Sequence, residues 1–511
     1  MLTKTILLEL ENLYINHGLP LLIMVFVFGP IIYFTSWALY TLFLSSLRNV
    51  PGPFLARLTR LWEVRNVTTG NIHNIMVNLH KKHGPIVRVA PNRYDFDTPQ
   101  ALKIIYRIGN AFHKSHFYDP FGSPHFKNLI NELDNERHAA MRRQIASLYT
   151  MSALLSFESA VDGLTLVLKK KLQDFSNKED LIDLPQFLQY YAFDVITAIS
   201  VGEPMGMMES NKDIGDACKG LDDIWHNVAV MGLLPGLYPW MVRIVNLLGL
   251  RGLTDGLDTF VDLHMRQYPQ KEKSQGNETI TNSTFMDTLL ELQRNGKITD
   301  KEIRLCLFMN ISAGSDTTGI SLSCIIYYLY TNPDTLRQLR VELRDAAKKG
   351  ILSDSFAFKE TQGMPYLQAV IKEALRLHPA VGTQLTRIVP KGGIVIENQH
   401  FPEGVEVGVN AWALYHNEHA FGNDASEFRP ERWLESGGDR NDGLRIAGSF
   451  AFGAGPRSCI GKNISILEMS KAIPQIVQNF DFDIVPQGHW ENECWWFVKP
   501  SYKVRVRRSA V

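Results

Sequence analysis

The sequence has no excess of charge of either sign. Its 511 residues carry 53 Lys and Arg against 53 Asp and Glu, a formal net charge of zero. A nucleic-acid binder draws its affinity from a phosphate-neutralising surface, so that class is set aside. Cysteine is sparse too: Cys218, Cys306, Cys324, Cys459 and Cys494 are the five. So few in so long a chain cannot form a disulfide framework. No two are spaced Cys-x-x-Cys, which argues against a Cys-rich structural zinc site. No internal repeat or low-complexity block occurs, and the 37 Gly and 24 Pro are scattered, which excludes a fibrous protein. With 45% apolar and 21% charged residues the composition is that of a globular protein.

One further absence is local. No Asp, Glu, Lys or Arg occurs between Asn12 and Leu47. The densest apolar part, 19–44, exceeds the roughly 20 residues a helix needs to cross a bilayer. Pro20 and Pro30 are tolerable there, and Trp37 and Tyr40 suit a membrane interface. A cleaved signal peptide is disfavoured, because the run is too long and no small-residue cleavage site follows. Lys4, Glu9 and Glu11 precede the segment, and Arg48, Arg57 and Arg60 follow it. The positive-inside bias then puts the rest of the chain in the cytosol, where thiols stay reduced. The expected organisation is a membrane anchor over 1–48, with one transmembrane helix at about 19–44. A single catalytic domain over 49–511 follows. Asn49-Val50-Pro51-Gly52-Pro53 would join them stiffly, because proline fixes φ.

The body reads as long helices with short strands. Ile86–Ala90 looks like a strand, 135–265 mostly helical, and 268–285 a polar surface loop. Val228–Leu250 is apolar and broken by Pro235, Gly236 and Pro239, so it is a buried connection or a loop touching the membrane. A strong helix is expected from Asp300 to Tyr330, stopped by Asn332-Pro333. Helices at 333–349 and 365–378 and a strand-and-turn region at 380–412 follow.

The chemistry is concentrated in Phe452-Gly453-Ala454-Gly455-Pro456-Arg457-Ser458-Cys459-Ile460-Gly461. The string opens an apolar helical run, expected from about Ile460 to Val477. Cys459 would then sit at unpaired N–H groups and a positive dipole end, which lowers a thiol from its free pKa of about 8.5. A thiolate there can ligate a soft or borderline metal. The glycines let a flat, bulky partner approach, and Arg457 offers a fixed charge to a carboxylate on it. A dinucleotide fingerprint would need Gly where Ser458 stands.

Phe452, Gly455, Arg457, Cys459 and Gly461 resemble the haem-binding signature of the cytochrome P450 family. The resemblance implies that Cys459 is the axial ligand of the iron of haem b, and that Arg457 contacts a propionate. Thiolate donation in that family favours O–O cleavage. Three further motifs stand in family order. Ala313-Gly314-Ser315-Asp316-Thr317-Thr318 resembles the oxygen-activation motif. Gly314 would leave space, Thr317 would bond back to Ala313 and bend the helix, and Asp316 with Thr317 would form a proton relay. Glu373 and Arg376, with Arg432 in Phe428–Trp433, resemble the Glu-Arg-Arg network that supports the Cys loop. Glu136–Arg142 resembles the haem-side helix. His138 there stands where many members have Trp, and Arg142 and Arg387 are the other expected propionate partners. The pattern of His138, Arg142 and Arg143 resembles the fungal secondary-metabolism branch.

The fold this implies is mainly α with small β-sheets, the cytochrome P450 fold, behind the transmembrane helix. The activity implied is a monooxygenase acting on a lipophilic small molecule such as a terpenoid or polyketide intermediate. Electrons would come from NADPH through a membrane NADPH–cytochrome P450 reductase, with cytochrome b5 as a further candidate donor. The location implied is the endoplasmic reticulum membrane. The pocket would be walled by His116–Phe121, Val228–Leu237, the helix face near Ala313, Val381–Leu385 and the turn at Trp495-Trp496. Two rival classes are a haem-thiolate isomerase or dehydratase that does not use O2, and a non-catalytic haem-binding protein. The intact Asp316-Thr317 pair speaks against the first.

Overall fold

The computed structural model describes residues 26, 28–109, 112–122, 127–248, 255–274, 284–435, 448, 450–486 and 490–509. Most of the chain is helical. The helices that position the site are α1 (Gly29–Leu39), α2 (Asn135–Ile145), α3 (Glu158–Lys178), α4 (Leu184–Val201), α5 (Ala217–Met231), α6 (Tyr238–Leu247), α7 (Asp300–Thr331), α8 (Pro365–Leu377) and α9 (Lys462–Asn479). The expected long helix is α7. Thr299 caps it in a capping box with Glu302, and it stops at Asn332 before Pro333, where proline disfavours α geometry in the residue before it. Residues from Ile303 to Leu329 are buried on more than one face, the pattern of a helix through the middle of a domain. The expected loop at 268–285 begins as helix, because the helix from Asp255 continues to Ser274; 275–283 lie outside the described residues.

Small residues bring α4 against α7. A Cβ on Gly314 would stand 2.9 Å from Ile196 Cγ1, and one on Gly319 2.8 Å from Gln189 Cα. Behind them α3 meets α9 through Lys471, fully buried, whose Nζ donates to Glu158 at 2.6 Å and pairs with Asp162 at 2.7 Å. A buried ammonium needs such partners.

The strands are β1 (Ile86–Ala90), β2 (Arg93–Phe96), β3 (His113–Lys114), β4 (Leu181–Asp183), β5 (Arg387–Ile388), β6 (Ile394–Ile396), β7 (Gln399–Phe401), β8 (Glu406–Val409), β9 (Phe480–Val485), β10 (Glu491–Cys494), β11 (Val498–Ser501) and β12 (Lys503–Arg508). They form a five-stranded sheet in the order β1-β2-β8-β5-β3, a three-stranded sheet β4-β12-β9, and two hairpins. The β2–β8 pair is parallel, and the other pairs of the large sheet are antiparallel.

Two apolar cores result. One lies among the helices; the other backs the large sheet through Tyr94, Phe96, Phe401 and Val407. The segment leading into α9 joins the two, with Phe450 in the second core and Ile464, in the first turn of α9, in the first. The architecture is mainly helical with small sheets, as the sequence implied.

The start of the expected transmembrane segment, 19–25 and 27, lies outside the described residues. The described part, α1 and a following π-helical turn at Tyr40–Leu44, exposes Phe26, Phe28, Ile31, Ile32, Tyr33, Phe34 and Leu39. At 29–44 it is a short apolar helix. Among the described residues, the one helical stretch passing a length-and-composition test for crossing a bilayer is Met151–Lys178. Val161, Leu168 and Leu172 bury its inner face in the helical core, so packing against the domain accounts for its apolarity. The connector packs on the body. Leu47 and Val50 are buried, and Arg57 donates to the carbonyls of Arg48 at 2.9 Å and Val50 at 3.2 Å.

Candidate active site

A cavity of about 520 Å³ lies between α7, α2 and the Cys459 loop. The loop is built by two devices. Gly455 has φ +67°, and a Cβ there would stand 2.0 Å from the carbonyl oxygen of Tyr106, so only glycine fits. The Cys459 amide donates to the Phe452 carbonyl at 2.8 Å, closing the loop under Phe452. Helix α9 begins at Lys462 with Gly461 as its N-cap residue, slightly later than expected. Cys459 thus precedes the helix, with the amides of Gly461 and Lys462 turned toward its sulfur. Its exposed surface opens on the cavity, since both the sulfur-bearing residue and its neighbours line it.

Burial pushes the Cys459 thiol up, against the pull of those amides, Arg142 and Lys462. The net direction is upward, so the expected lowering does not occur; the cavity wall removes more solvation than the helix end returns. The surrounding donors are nevertheless those a sulfur anion needs when a metal displaces its proton. Cys306 on α7 also reaches the cavity. Burial pushes its thiol to about 11, with Tyr149 as its hydrogen-bond partner and no cation among the causes. Burial pushes Cys494 to about 12 and raises Cys324 and Cys218 as well.

The four residues implied as carboxylate partners lie around one cavity. His138, Arg142, Arg387 and Arg457 all line the cavity. Arg142 Nη1 donates to the Ser458 carbonyl at 2.7 Å, bracing the Cys loop. Arg457 spends its donors on the carbonyls of Glu132, Leu133 and Asp134 and on Asn135 Oδ1, at 2.7–3.1 Å. Burial and then Arg387 push it down to about 10. Burial, followed by Arg457, Lys114, Arg142 and Arg387, pushes the His138 ring down to about 3, which leaves it neutral at pH 7 with one N–H to donate. Arg387 lies over the Tyr106 ring, 5.0 Å from its centroid.

Sequence reasoning missed Lys114. Strand register sets it opposite Arg387 across β3 and β5, and it is 9% exposed. Its ammonium donates to the Ile130 carbonyl at 2.6 Å and lies 4.3 Å from the Tyr118 ring centroid. Burial, Arg387 and Arg457 push its pKa well down. No local motif marks a lone Lys on a two-residue strand; only the tertiary pairing does.

Like charges opposite one another in a sheet destabilise it, so this cluster calls for anions. The described lining holds five basic side chains, Lys114, Lys127, Arg142, Arg387 and Arg457, and the neutral donor His138, against the single carboxylate Glu302. Glu302 already caps α7 through Thr299. Among the described residues no group of three His, Cys, Asp or Glu could hold a bare metal ion. One sulfur and a basic rim fit a metal that brings its own ring and carboxylates. The residues present therefore fit haem.

The acid–alcohol pair divides. Thr317 faces the cavity, and its hydroxyl donates to the Ala313 carbonyl at 2.8 Å, the expected back-bond. Asp316 does not reach the cavity. Neighbours in a helix do not share a face, and its carboxylate accepts from Trp225 Nε1 at 2.5 Å, Lys499 Nζ at 3.2 Å and Gln189. Gly314 borders the cavity, as expected, and also allows the close packing of α4. The cavity wall departs from expectation at one place. Val228 to Leu237 do not line it; Trp225, one turn earlier on α5, does. Ala229 and Leu233 instead border a cavity of about 10 Å³ beside Arg93.

The support network forms as expected. Glu373 accepts from Arg376 Nε at 2.9 Å, Arg432 Nε at 2.8 Å and Trp433 Nε1 at 2.9 Å. Arg376 continues to the carbonyls of Tyr415 and Ala425. All three charges are buried and paired, the condition for tolerating them.

A mostly helical domain with a sulfur at a helix start and a basic cavity defines a haem-thiolate protein. The chain belongs to the cytochrome P450 family, whose signature matches residues 51–507. It is 54% identical to a pisatin demethylase of Fusarium vanettenii over 513 residues, covering 99% of this chain and 98% of that one. A second pisatin demethylase of the same organism is 54% identical over the full length of both. A cytochrome P450 monooxygenase, gsfF, of Penicillium aethiopicum is 32% identical over 506 residues, 95% of this chain and 98% of that one. The protein is thus a haem-thiolate monooxygenase with fungal relatives.

Proposed function

We propose that the protein oxidises a lipophilic small molecule in fungal secondary metabolism, using O2 and electrons passed from NADPH by a membrane reductase. The observation that carries this reading is Cys459 at the start of α9, facing a cavity with a basic rim and Thr317. Cys459 would ligate the haem iron, on a loop that Phe452 and Gly461 shape. Arg142, Arg387, Arg457 and His138, which line the cavity, would hold the carboxylates of the ring. When bound, haem supplies the activation of O2 and the transfer of one oxygen atom. Thr317 Oγ1 faces the cavity with its proton engaged by the Ala313 carbonyl, and Asp316 stands behind it as the buried acid. That pair favours oxygen activation over an isomerase or dehydratase.

The cavity favours a flat aromatic substrate. Phe121 and Trp496 meet at 4.9 Å, and Trp225 and Phe497 at 4.8 Å between ring centroids, and all four line it. Trp496 has φ +145°, a strained backbone that persists where the surroundings over-determine it. Demethylation, the reaction in the name of the relatives 54% identical to this chain, is the favoured oxidation, and pisatin is the first compound to assay. The test is purified protein with NADPH, O2 and a reductase. Loss of a methyl group with formaldehyde release supports it. NADPH-independent conversion would return the isomerase reading.

The anchor over 1–48, the catalytic domain from 49, and a single-pass location in the endoplasmic reticulum with the body cytosolic complete the reading. The exposed apolar residues of 28–44 support it. So does α6, where Trp240, Ile244 and Leu247 are exposed. The earlier part of Val228–Leu250 is buried at Val228 and Leu233, so the segment is half connection, half surface.

A further inference from the structure

Asp316 is held by more than its neighbourhood on α7 requires. It is 1% exposed and faces away from the cavity. Three elements converge on it: Gln189 from α4, Trp225 from α5 and Lys499 from β11. Lys499 also pairs with Asp222 of α5. Side-chain exposure falls along this line, from 44% at Asp222 to 29% at Lys499 and 0% at Asp316. Asp222 and Trp225 stand three residues apart on α5 and so share a face. Helix α5 is therefore fastened to Asp316 twice, directly by the indole and through Lys499. The same indole walls the cavity. A buried carboxylate is costly unless paired, and Lys499 is the cation in contact with this one. Burial works against its ammonium, but Asp316 and Asp222 together raise its pKa.

We propose that Lys499 is a positioning residue for the oxidation: bridging Asp222 and Asp316, it keeps the acid in place behind Thr317 and fastens α5 over the cavity. This rests on the proposed role of Asp316 and Thr317 in proton delivery. Without the ammonium, Asp316 has only two neutral donors and α5 loses its outer tie. Proton delivery and the closure of α5 then fail together, although neither Lys499 nor Asp222 lines the cavity.

The experiment uses the full-length, haem-loaded protein in lipid. Lys499→Met keeps its haem and its ferrous–CO spectrum. Amide hydrogen exchange across 217–231 quickens. Peroxide released per product rises by on the order of tenfold, a fraction of what such proton relays contribute. Lys499→Arg restores both. Unchanged exchange overturns the fastening, and faster exchange with unchanged coupling overturns the role in the reaction. Wild-type protein that holds haem but consumes no NADPH would sink the proposed function alone, and the exchange measurement would still decide the fastening. If Lys499→Met loses haem, Asp222→Asn, at the half-exposed end, must shift both readouts in the same direction; no shift overturns the proposal.

Discussion

At the scale of single residues, Cys459 differs from the other four cysteines in its exposure to the cavity and in its surroundings. Helix amides and Arg142 face its sulfur, and Cys306 in the same cavity lacks both. Cys459→Ala is expected to abolish the thiolate-type spectrum of the ferrous–CO complex, whereas Cys306→Ala leaves it unchanged; absorbance near the Soret band decides. Thr317→Ala removes a hydroxyl whose one hydrogen bond among the described residues is to the Ala313 carbonyl. The variant should keep its haem and waste NADPH as hydrogen peroxide, with coupling lowered by roughly 10²–10⁴-fold if the hydroxyl carries the relay. Equal product and peroxide yields in the variant and the parent would remove its assigned role. The residues that a motif could mark were legible in the sequence through the family resemblance: Cys459, Arg457 and Thr317 line the cavity, and Glu373 accepts from Arg376 and Arg432. Lys114 and the direction of Asp316 were not. Lys114 reaches the cavity through strand register, and Asp316 is claimed by Trp225 and Lys499, which are 91 and 183 residues away.

At the scale of elements, the Glu373 network ties α8 to the segment holding Arg432, and Lys471 ties α9 to α3. Glu373→Gln keeps the shape but leaves Arg376 and Arg432 buried without their anion. Breaking a buried pair costs about 3–5 kcal/mol, so the variant should melt well below the parent and lose haem on gel filtration. A second element-scale property is acid sensitivity. His73 and His378 pack on Trp412 with ring centroids 4.6 and 4.9 Å away, and His416 stacks on it at 5.7 Å. Burial pushes His73 down to about 3, and His378 and His416 to about 4. The unfolded chain then binds more protons than the folded one between about pH 6.5 and 4. Their contribution is whole above pH 6.5 and is lost progressively as pH falls through that window. His73→Phe should flatten the decline of Tm between pH 7 and 5; an unchanged slope would show that other groups set it. Helix limits were readable where caps and prolines act, as at Thr299 and Asn332-Pro333. The path of Val228–Leu250 was not, because an apolar run with breakers fits burial and exposure alike, and tertiary packing alone assigns Val228 to the core and Leu247 to the surface.

At the scale of the whole molecule, the question is how the proposed anchor meets the catalytic body. The body does not begin at the prolines of the connector. Leu47 and Val50 are 3% and 4% exposed and belong to the core behind the large sheet. Arg57 holds the carbonyls of Arg48 and Val50, and the Arg88 amide donates to the Pro51 carbonyl at 2.7 Å. The segment 47–51 is thus part of the fold, and removing the anchor at different points should have different costs. A chain beginning at Ser45 keeps these contacts. It should leave the membrane on carbonate extraction, unlike the full-length protein, and hold haem with an unchanged Tm. A chain beginning at Pro51 loses the burial of Leu47 and Val50, worth roughly 1.5–3 kcal/mol for each fully buried side chain. It should bind haem but melt several degrees lower. Both shortened chains should retain weak binding to phospholipid vesicles through the exposed Trp240, Ile244 and Leu247 of α6, and Trp240→Ser should weaken it. Carbonate extraction of the full-length protein into the supernatant would defeat the anchor. Equal melting of the two shortened chains would instead show that 47–50 add nothing to the body, leaving the anchor itself unaffected.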